Sequence, residues 1–322
     1  MPNPATMLAV TAKSGPKPVE VSLPERVRED DCLIRVHRVG ICGTDNEILK
    51  GYAGFDGILG HEFSGQVVES DQYSWIRRRV TAHINIPGDL RGHIDYTAAK
   101  HDPDRQAIGI RGRDGAMAEY IVLPEGVLVA LPDSVSDAAG AMAEPLAAAL
   151  DAAERIPPND DPVLLIGDGR LAILIARILR ARGREVHALG RYEHKMDRLR
   201  QIGVTVSIRE PEDNFRAVIE ASGNPFGLQT ALNSVAPEGT IVLKSTHTES
   251  FTIDPTFIAV NEIRLVGSRC GDVAAAVELI ASRTVEVEDL IDDVHPLRDA
   301  ELAFERAFGP DGLKVQLDPT VG

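Results

Sequence analysis

The stretch VLLIGDGRLAILIARIL, residues 163 to 179, constrains the fold more than any other part of the chain. An apolar β-type run leads into Gly167-x-Gly169-x-x-Ala172 and out into an apolar helical run, the strand, turn and helix order that a dinucleotide-binding turn requires. Each residue type has its own task. Gly167 permits the tight turn, Gly169 lets the backbone approach a pyrophosphate, and Ala172 is small enough for helix and strand to pack. Arg170 and Leu171 open the helix, whose unpaired N–H groups and positive dipole end favour an anion. A nucleotide site is therefore expected at Gly167, Gly169, Arg170, Leu171 and Ala172.

The surrounding pattern agrees. Residues 163 to 266 alternate apolar strands (VLLIG, EVHAL, AVIEA, TIVLKS, IRLVGS) with helical segments, which calls for a parallel sheet with right-handed crossovers. The first 130 residues read instead as short β-rich runs bounded by turn residues, an all-β, barrel-like region. An alanine-rich helical stretch, AAGAMAEPLAAALDAAERI, ended by Pro157-Pro158, marks the junction. After Gly267 come two helical segments and a last strand, LKVQL. At 322 residues the chain suits two domains of ordinary size.

The end of the second Rossmann-type strand bears on the cofactor. EVHAL runs into Gly190-Arg191-Tyr192, with Lys195 nearby and no acid at the tip. A carboxylate there would bind ribose hydroxyls and repel a 2′-phosphate, whereas Gly190 leaves room and Arg191 can pair with the phosphate in a fork. NADP(H) is expected over NAD(H). The alternative is that Glu193 serves the ribose and Arg191 is a surface arginine.

Several classes are excluded by composition. A formal charge of −15, with no basic run beyond Arg77-Arg78-Arg79, disfavours nucleic acid, and that triplet reads as a solvated turn. No apolar run approaches the roughly 18 residues of a membrane helix. The N-terminus lacks the basic start and apolar stretch of a signal peptide, so a cytoplasmic protein is expected. Cys32, Cys42 and Cys270 are odd in number, widely spaced and without a CxxC pair, which argues against a disulfide framework.

CGTDNEILKGYAGFDGILGHE, residues 42 to 62, carries Cys42, His61 and Glu62, the ligand types of a catalytic zinc. Taken alone, these residues are equally compatible with a buried thiol and a hydrogen-bonded core histidine. Their setting goes further. Gly40-Ile41-Cys42-Gly43-Thr44-Asp45, followed by Gly60-His61-Glu62 and Gly65, resembles the zinc-dependent alcohol dehydrogenases of the medium-chain dehydrogenase/reductase superfamily, most of all the glucose, polyol and threonine dehydrogenase branches.

The resemblance covers nearly the whole chain. It implies an α/β protein with a GroES-like β-barrel catalytic domain at 1–146, a Rossmann doubly wound parallel-sheet domain at 147–267, and a return to the first domain at 268–322. It makes Cys42 and His61 ligands of one catalytic zinc. The third would be Glu144, from Ala143-Glu144-Pro145-Leu146, or Glu62, a ligand able to exchange with water; the alternative for Glu144 is an ordinary carboxylate at a helix N-terminus. Thr44 would start a proton relay, and Glu47 would either continue it or be a surface carboxylate. Asp45 reads as a turn or supporting residue. Ser222-Gly223 and Ser245-Thr246 would line the nicotinamide, and Lys314 would sit near the pyrophosphate.

The chain departs from the family at INIPGDLRGHIDYTAAKHDPDRQAIGIRGRDG, which contains no cysteine where many members bind a structural zinc through four. No second zinc of that kind is expected, and His83, His93 and His101 read as exposed loop histidines. The implied activity is hydride transfer between NADP(H) and an alcohol or carbonyl of a polyol, sugar or similar small polar substrate, in a homodimer or tetramer. The rivals are a zinc-free NADPH-dependent enone or quinone reductase of the same superfamily and a catalytically inactive nucleotide-binding relative.

Overall fold

The structure is a computed structural model that describes residues 6–158, 162–246, 251–310 and 312–321. The chain divides into two compact units: Met1–Glu144 with Asp272–Arg283 and Val287–Gly322, and Pro145–Gly271 with Thr284–Glu286.

The first unit is organised around the strand Asp31–Gly40, whose residues are buried on both faces over most of its length. A strand so enclosed needs apolar side chains at nearly every position, and Cys32, Leu33, Ile34, Val36 and Val39 supply them. One edge pairs with Glu62–Glu69. The other is shared: Asp31 to Arg35 pair with Tyr120–Pro124, and Val39 and Gly40 pair with Leu317 and Gln316. The sheet runs Leu128–Ala130, Arg79–Ala82, Glu62–Glu69, Asp31–Gly40, Lys314–Asp318, Ile291–Pro296, with Tyr120–Pro124 beside the central strand. Phe63, Val67, Leu123, Val315 and Leu317 fill the core this sheet encloses.

Two expectations change here. The cysteine-free segment is ordered by a small sheet of Asn85–Ile86, Gln106–Ile108 and Gly112–Arg113, and by the helix Tyr96–Ala99, capped by the Asp95 carboxylate. His93 and His101 are exposed, but His83 is buried, its ring stacked on Tyr96 at 5.9 Å. Burial accordingly pushes its pKa below the usual histidine range, against the pull of Asp272. Arg79 likewise leaves the solvated turn, donating to the carbonyls of Val135 (2.7 Å) and Pro132 (2.9 Å).

The alanine-rich stretch forms two helices, Asp137–Gly140 and Ala143–Glu154, instead of one. Ser136 caps the first by accepting the Ala139 N–H at 3.0 Å.

The second unit is a six-stranded sheet in the order Thr205–Ser207, Val186–Leu189, Val163–Ile166, Phe215–Glu220, Val235–Leu243, Arg264–Gly267, with every pairing parallel. In chain order this is 3-2-1-4-5-6, the doubly wound arrangement. The helix Arg170–Ala181 follows the first strand and buries Ala172, Ile173, Leu174, Ile175, Ala176, Ile178 and Leu179. The short strand Thr205–Ser207 and the helix Pro255–Val260 were not expected from the sequence.

Candidate metal centre and dinucleotide site

Gly40 and Glu62 are partners across the pair of strands Asp31–Gly40 and Glu62–Glu69, so the chain leaves one strand toward Cys42 where it enters the other from His61. Residues 19 positions apart thereby meet. Ligand atoms of Cys42, His61 and Glu62 lie within 4.8 Å of one another, with His61 and Glu62 buried and Cys42 half-buried. Cys42 also caps the helix Gly43–Leu49, whose first turn carries Thr44 and Asp45. The Thr44 hydroxyl oxygen is 3.7 Å from the Cys42 Sγ.

Asp45 is closed off from solvent and holds this corner together. Its carboxylate accepts the Cys42 N–H at 2.8 Å and the Gly60 N–H at 3.3 Å, and stands 3.7 Å from His61 Nδ1. Burial pushes its carboxyl up to about 6, with His61 opposing. Burial by itself disfavours a charged His61, but the charges of Cys42, Asp45 and Glu144, with a hydrogen bond to Cys42, outweigh it and raise the imidazole to about 10.

The carboxylates divide differently from expectation. Glu62 is buried and paired with the buried Lys314 ammonium, which also donates to the Ile41 carbonyl at 3.0 Å. Lys314, expected near a pyrophosphate, is thus enclosed in the first unit with no exposed surface to offer a phosphate. Glu144 is buried at the start of Ala143–Glu154 and lies outside the 4.8 Å group, though its charge acts on His61. Glu47 is partly exposed and ion-paired with Lys50 at 2.8 Å.

In the second unit the glycine-rich turn has the features its residues imply. Gly167 has φ 133°, and a Cβ there would stand 2.6 Å from the Ala221 carbonyl, so only glycine fits. At Gly169 a Cβ would meet nothing within 4 Å among the described residues, which leaves the backbone open on that side. Ala172 is fully buried under the helix. Arg191 is exposed at the tip of Val186–Leu189, and the Arg191 and Lys195 cations lie 5.5 Å and 5.1 Å from the Tyr192 ring centroid. Glu193 is turned along its helix to Arg200.

Two acids escaped the sequence reading. Asp168, inside the glycine-rich turn, reaches the tip of the second strand and accepts the N–H groups of Arg191 and Tyr192, each at 2.6 Å. Buried Glu220 accepts the Ser222 N–H (2.9 Å) and hydroxyl (2.6 Å) and the Ser245 hydroxyl (3.0 Å), while Gly223 N–H donates to Ser245 Oγ at 2.7 Å. Ser222, Gly223 and Ser245 are thereby gathered at the carboxyl ends of their strands, where open α/β sheets take ligands.

Two domain models match the chain, that of the alcohol dehydrogenase GroES-like domain across residues 28–133 and that of the zinc-binding dehydrogenase across 169–283. It is 26% identical over 330 residues to the D-arabitol-phosphate dehydrogenase of Enterococcus avium, with 93% of each chain covered. It is 28% identical over 329 residues to the sorbitol dehydrogenase of Bacillus subtilis, with 91% of each covered. The NADP-bound crystal structure of a protein described as a zinc-binding dehydrogenase from Sinorhizobium meliloti 1021 superposes with a TM-score of 0.88 at 26% identity, covering 98% of this chain and all of that one. A GroES-like domain joined to a Rossmann domain, with a cysteine, histidine and carboxylate gathered in the first, defines an oxidoreductase of the alcohol dehydrogenase type. The chain belongs to the zinc-dependent alcohol dehydrogenase family of the medium-chain dehydrogenases/reductases.

Proposed function

We propose that the chain transfers hydride between NADP(H) and the alcohol or carbonyl carbon of a polyol, sugar or similar small polar substrate, using one zinc ion. The observation that carries this reading is the convergence of Cys42, His61 and Glu62 within 4.8 Å in a largely buried setting. The donor set fits zinc: a thiolate, an imidazole and a carboxylate are its usual ligands, and three protein ligands leave a position for substrate. His61 Nδ1 faces the buried Asp45 carboxylate at 3.7 Å, the placing that orients a metal-ligating imidazole from behind. Cys42 and His61 would hold the ion, with Glu144 or Glu62 as the third ligand. For Glu62 to serve, it must give up Lys314.

A zinc ion so held supplies a Lewis acid for the substrate oxygen. The remaining tasks fall to the chain itself. Asp45 keeps the imidazole ring in place electrostatically, and its hydrogen bonds fix the backbone at Cys42 and Gly60. The Thr44 hydroxyl would accept the proton that alcohol oxidation releases while passing its own on, and Glu47, one helical turn on and partly exposed, would be the next acceptor toward water once its carboxylate leaves Lys50. In the second unit, the Gly167 to Ala172 turn would seat the pyrophosphate, and Ser222, Gly223 and Ser245 would orient the nicotinamide, which contributes the hydride chemistry.

NADP(H) is favoured over NAD(H) by the cations of Arg191 and Lys195; Gly190, expected to leave room for the phosphate, is instead closely packed, a Cβ there meeting Met196 at 2.8 Å. The polyol class is supported by the relatives acting on arabitol phosphate and sorbitol. A homo-oligomer is supported by the edge strand Arg264–Gly267, which leaves Leu265 exposed at the border of the sheet.

The test is zinc per chain by elemental analysis on protein purified without chelator or metal-affinity tag, with NADPH and NADH binding measured on the same preparation. About one zinc per chain is expected from a single three-ligand site, with tighter NADPH binding. Protein without zinc that takes none up would point to a zinc-free reductase or an inactive relative.

A further inference from the structure

The acid of the glycine-rich turn is placed where it can decide which dinucleotide binds. Asp168 is 9% exposed, and its Oδ2 accepts two successive backbone N–H groups, those of Arg191 and Tyr192. Its Cβ lies close enough to the strand tip that a Cβ on Gly190 would come within 3.0 Å of it. Tyr192 is the N-cap of the helix Glu193–Gln201. A helix start leaves N–H groups unpaired and favours a negative charge. The Asp168 carboxylate lies at this helix start, accepting the N–H of the N-cap Tyr192 and of Arg191 just before it.

The consequence lies on the outer side of the turn. With the backbone of 191 and 192 fixed from within, the exposed Tyr192 ring has the Arg191 guanidinium 5.5 Å from its centroid and the Lys195 ammonium 5.1 Å from it. Two cations are thus held around one ring at the tip of the second strand, where a dinucleotide's adenosine ribose lies in this fold. An acid at position 190 would point its charge at that ribose. Asp168 differs, because the oxygen nearest the tip is already engaged by two short N–H bonds and the side chain is nearly buried.

We infer that Asp168 is a positioning residue for cofactor selection: it pins the 190–192 turn so that Arg191, Tyr192 and Lys195 present one cationic site to the 2′-phosphate of NADP(H). The inference rests on the NADP(H) reading proposed above and names the residue that sets its geometry.

The experiment titrates the full zinc-loaded protein and its Asp168→Ala, Asp168→Asn and Arg191→Ala variants with 2′,5′-ADP and with 5′-AMP, probes that differ by the 2′-phosphate alone. Asp168→Ala should weaken 2′,5′-ADP by about tenfold, the scale of hydrogen bonds to a charged group, with 5′-AMP changed far less. Asp168→Asn, which keeps an accepting oxygen without the charge, should fall between Asp168→Ala and the parent. Arg191→Ala should weaken 2′,5′-ADP selectively.

If Arg191→Ala leaves both probes unchanged, the NADP(H) reading fails and the inference with it. If Arg191→Ala acts selectively while the Asp168 variants weaken both probes equally, or neither, the reading stands and the positioning role is overturned. Selective loss of 5′-AMP on removing the Asp168 carboxylate would also overturn it, making Asp168 a ribose acceptor of the NAD type. Should Asp168→Ala fail to fold, Asp168→Asn carries the same comparison.

Discussion

Lys314 and Glu62 form an ion pair in which both side chains are buried, joining the strand Lys314–Asp318 to the residue that follows His61. Two charges removed from water are tolerated because each has the other, and the ammonium also has the Ile41 carbonyl. Gly40 makes the space for them: a Cβ there would fall on the Glu62 Oε2 and 2.6 Å from the Lys314 Cε.

Lys314→Met should therefore cost about 3–5 kcal/mol, because it strands a buried carboxylate. The double variant with Glu62→Gln should cost less than the two single costs added. Urea denaturation of all three variants measures this, and simple additivity would show that the two side chains are not coupled.

Cys42→Ser and His61→Ala should lower zinc content and turnover together, with the fold retained by circular dichroism. A variant fully active with no zinc bound would remove Cys42 and His61 from the proposed centre.

Zinc affinity should rise with pH. In the metal-free chain His61 has a pKa of about 10, above its ordinary value of 6.5. The proton therefore stabilises the folded metal-free site below 6.5, and that stability is lost as pH climbs toward 10. Zinc must displace this proton, so its affinity should gain up to about tenfold per pH unit for each proton released. Calorimetry in buffers of different ionisation enthalpy reads the proton count, and no proton release between pH 6.5 and 9 would contradict the assignment.

Gly167→Ala and Gly169→Ala should separate stability from binding. The first meets the Ala221 carbonyl at positive φ and should destabilise the second unit by about 1–3 kcal/mol. The second meets nothing within 4 Å and should leave the melting temperature nearly unchanged while weakening dinucleotide binding. Equal binding to parent and Gly169→Ala would argue that no pyrophosphate approaches that face.

Much of this was legible in local sequence, because local chemistry decides it. The Gly167 to Ala172 turn is written in six consecutive residues, and Cys42 and His61 are brought together by one strand pairing between neighbouring segments. What the sequence hid depends on distant partners. Lys314 pairs with a residue 252 positions earlier, so nothing in GLKVQL marks it as buried beside the proposed metal ligands. Asp168 stands at the tip of the second strand although it belongs to the first turn, so searching for an acid along EVHAL could not find it. His83 is buried by Tyr96, 13 positions on, in a stretch whose polar composition suggests exposure.

The strand Lys314–Asp318 pairs with both Asp31–Gly40 and Ile291–Pro296. During synthesis, the first unit therefore waits for Lys314–Asp318 to leave the ribosome before its sheet can close and Glu62 can find its counter-charge. The continuous Pro145–Gly271 stretch, with only Thr284–Glu286 added later, can assemble its parallel sheet well before then. The nascent protein would thus close its parallel-sheet unit first and the unit that carries Cys42 and His61 last, so both Cys32 and Cys42 wait unshielded until that second step.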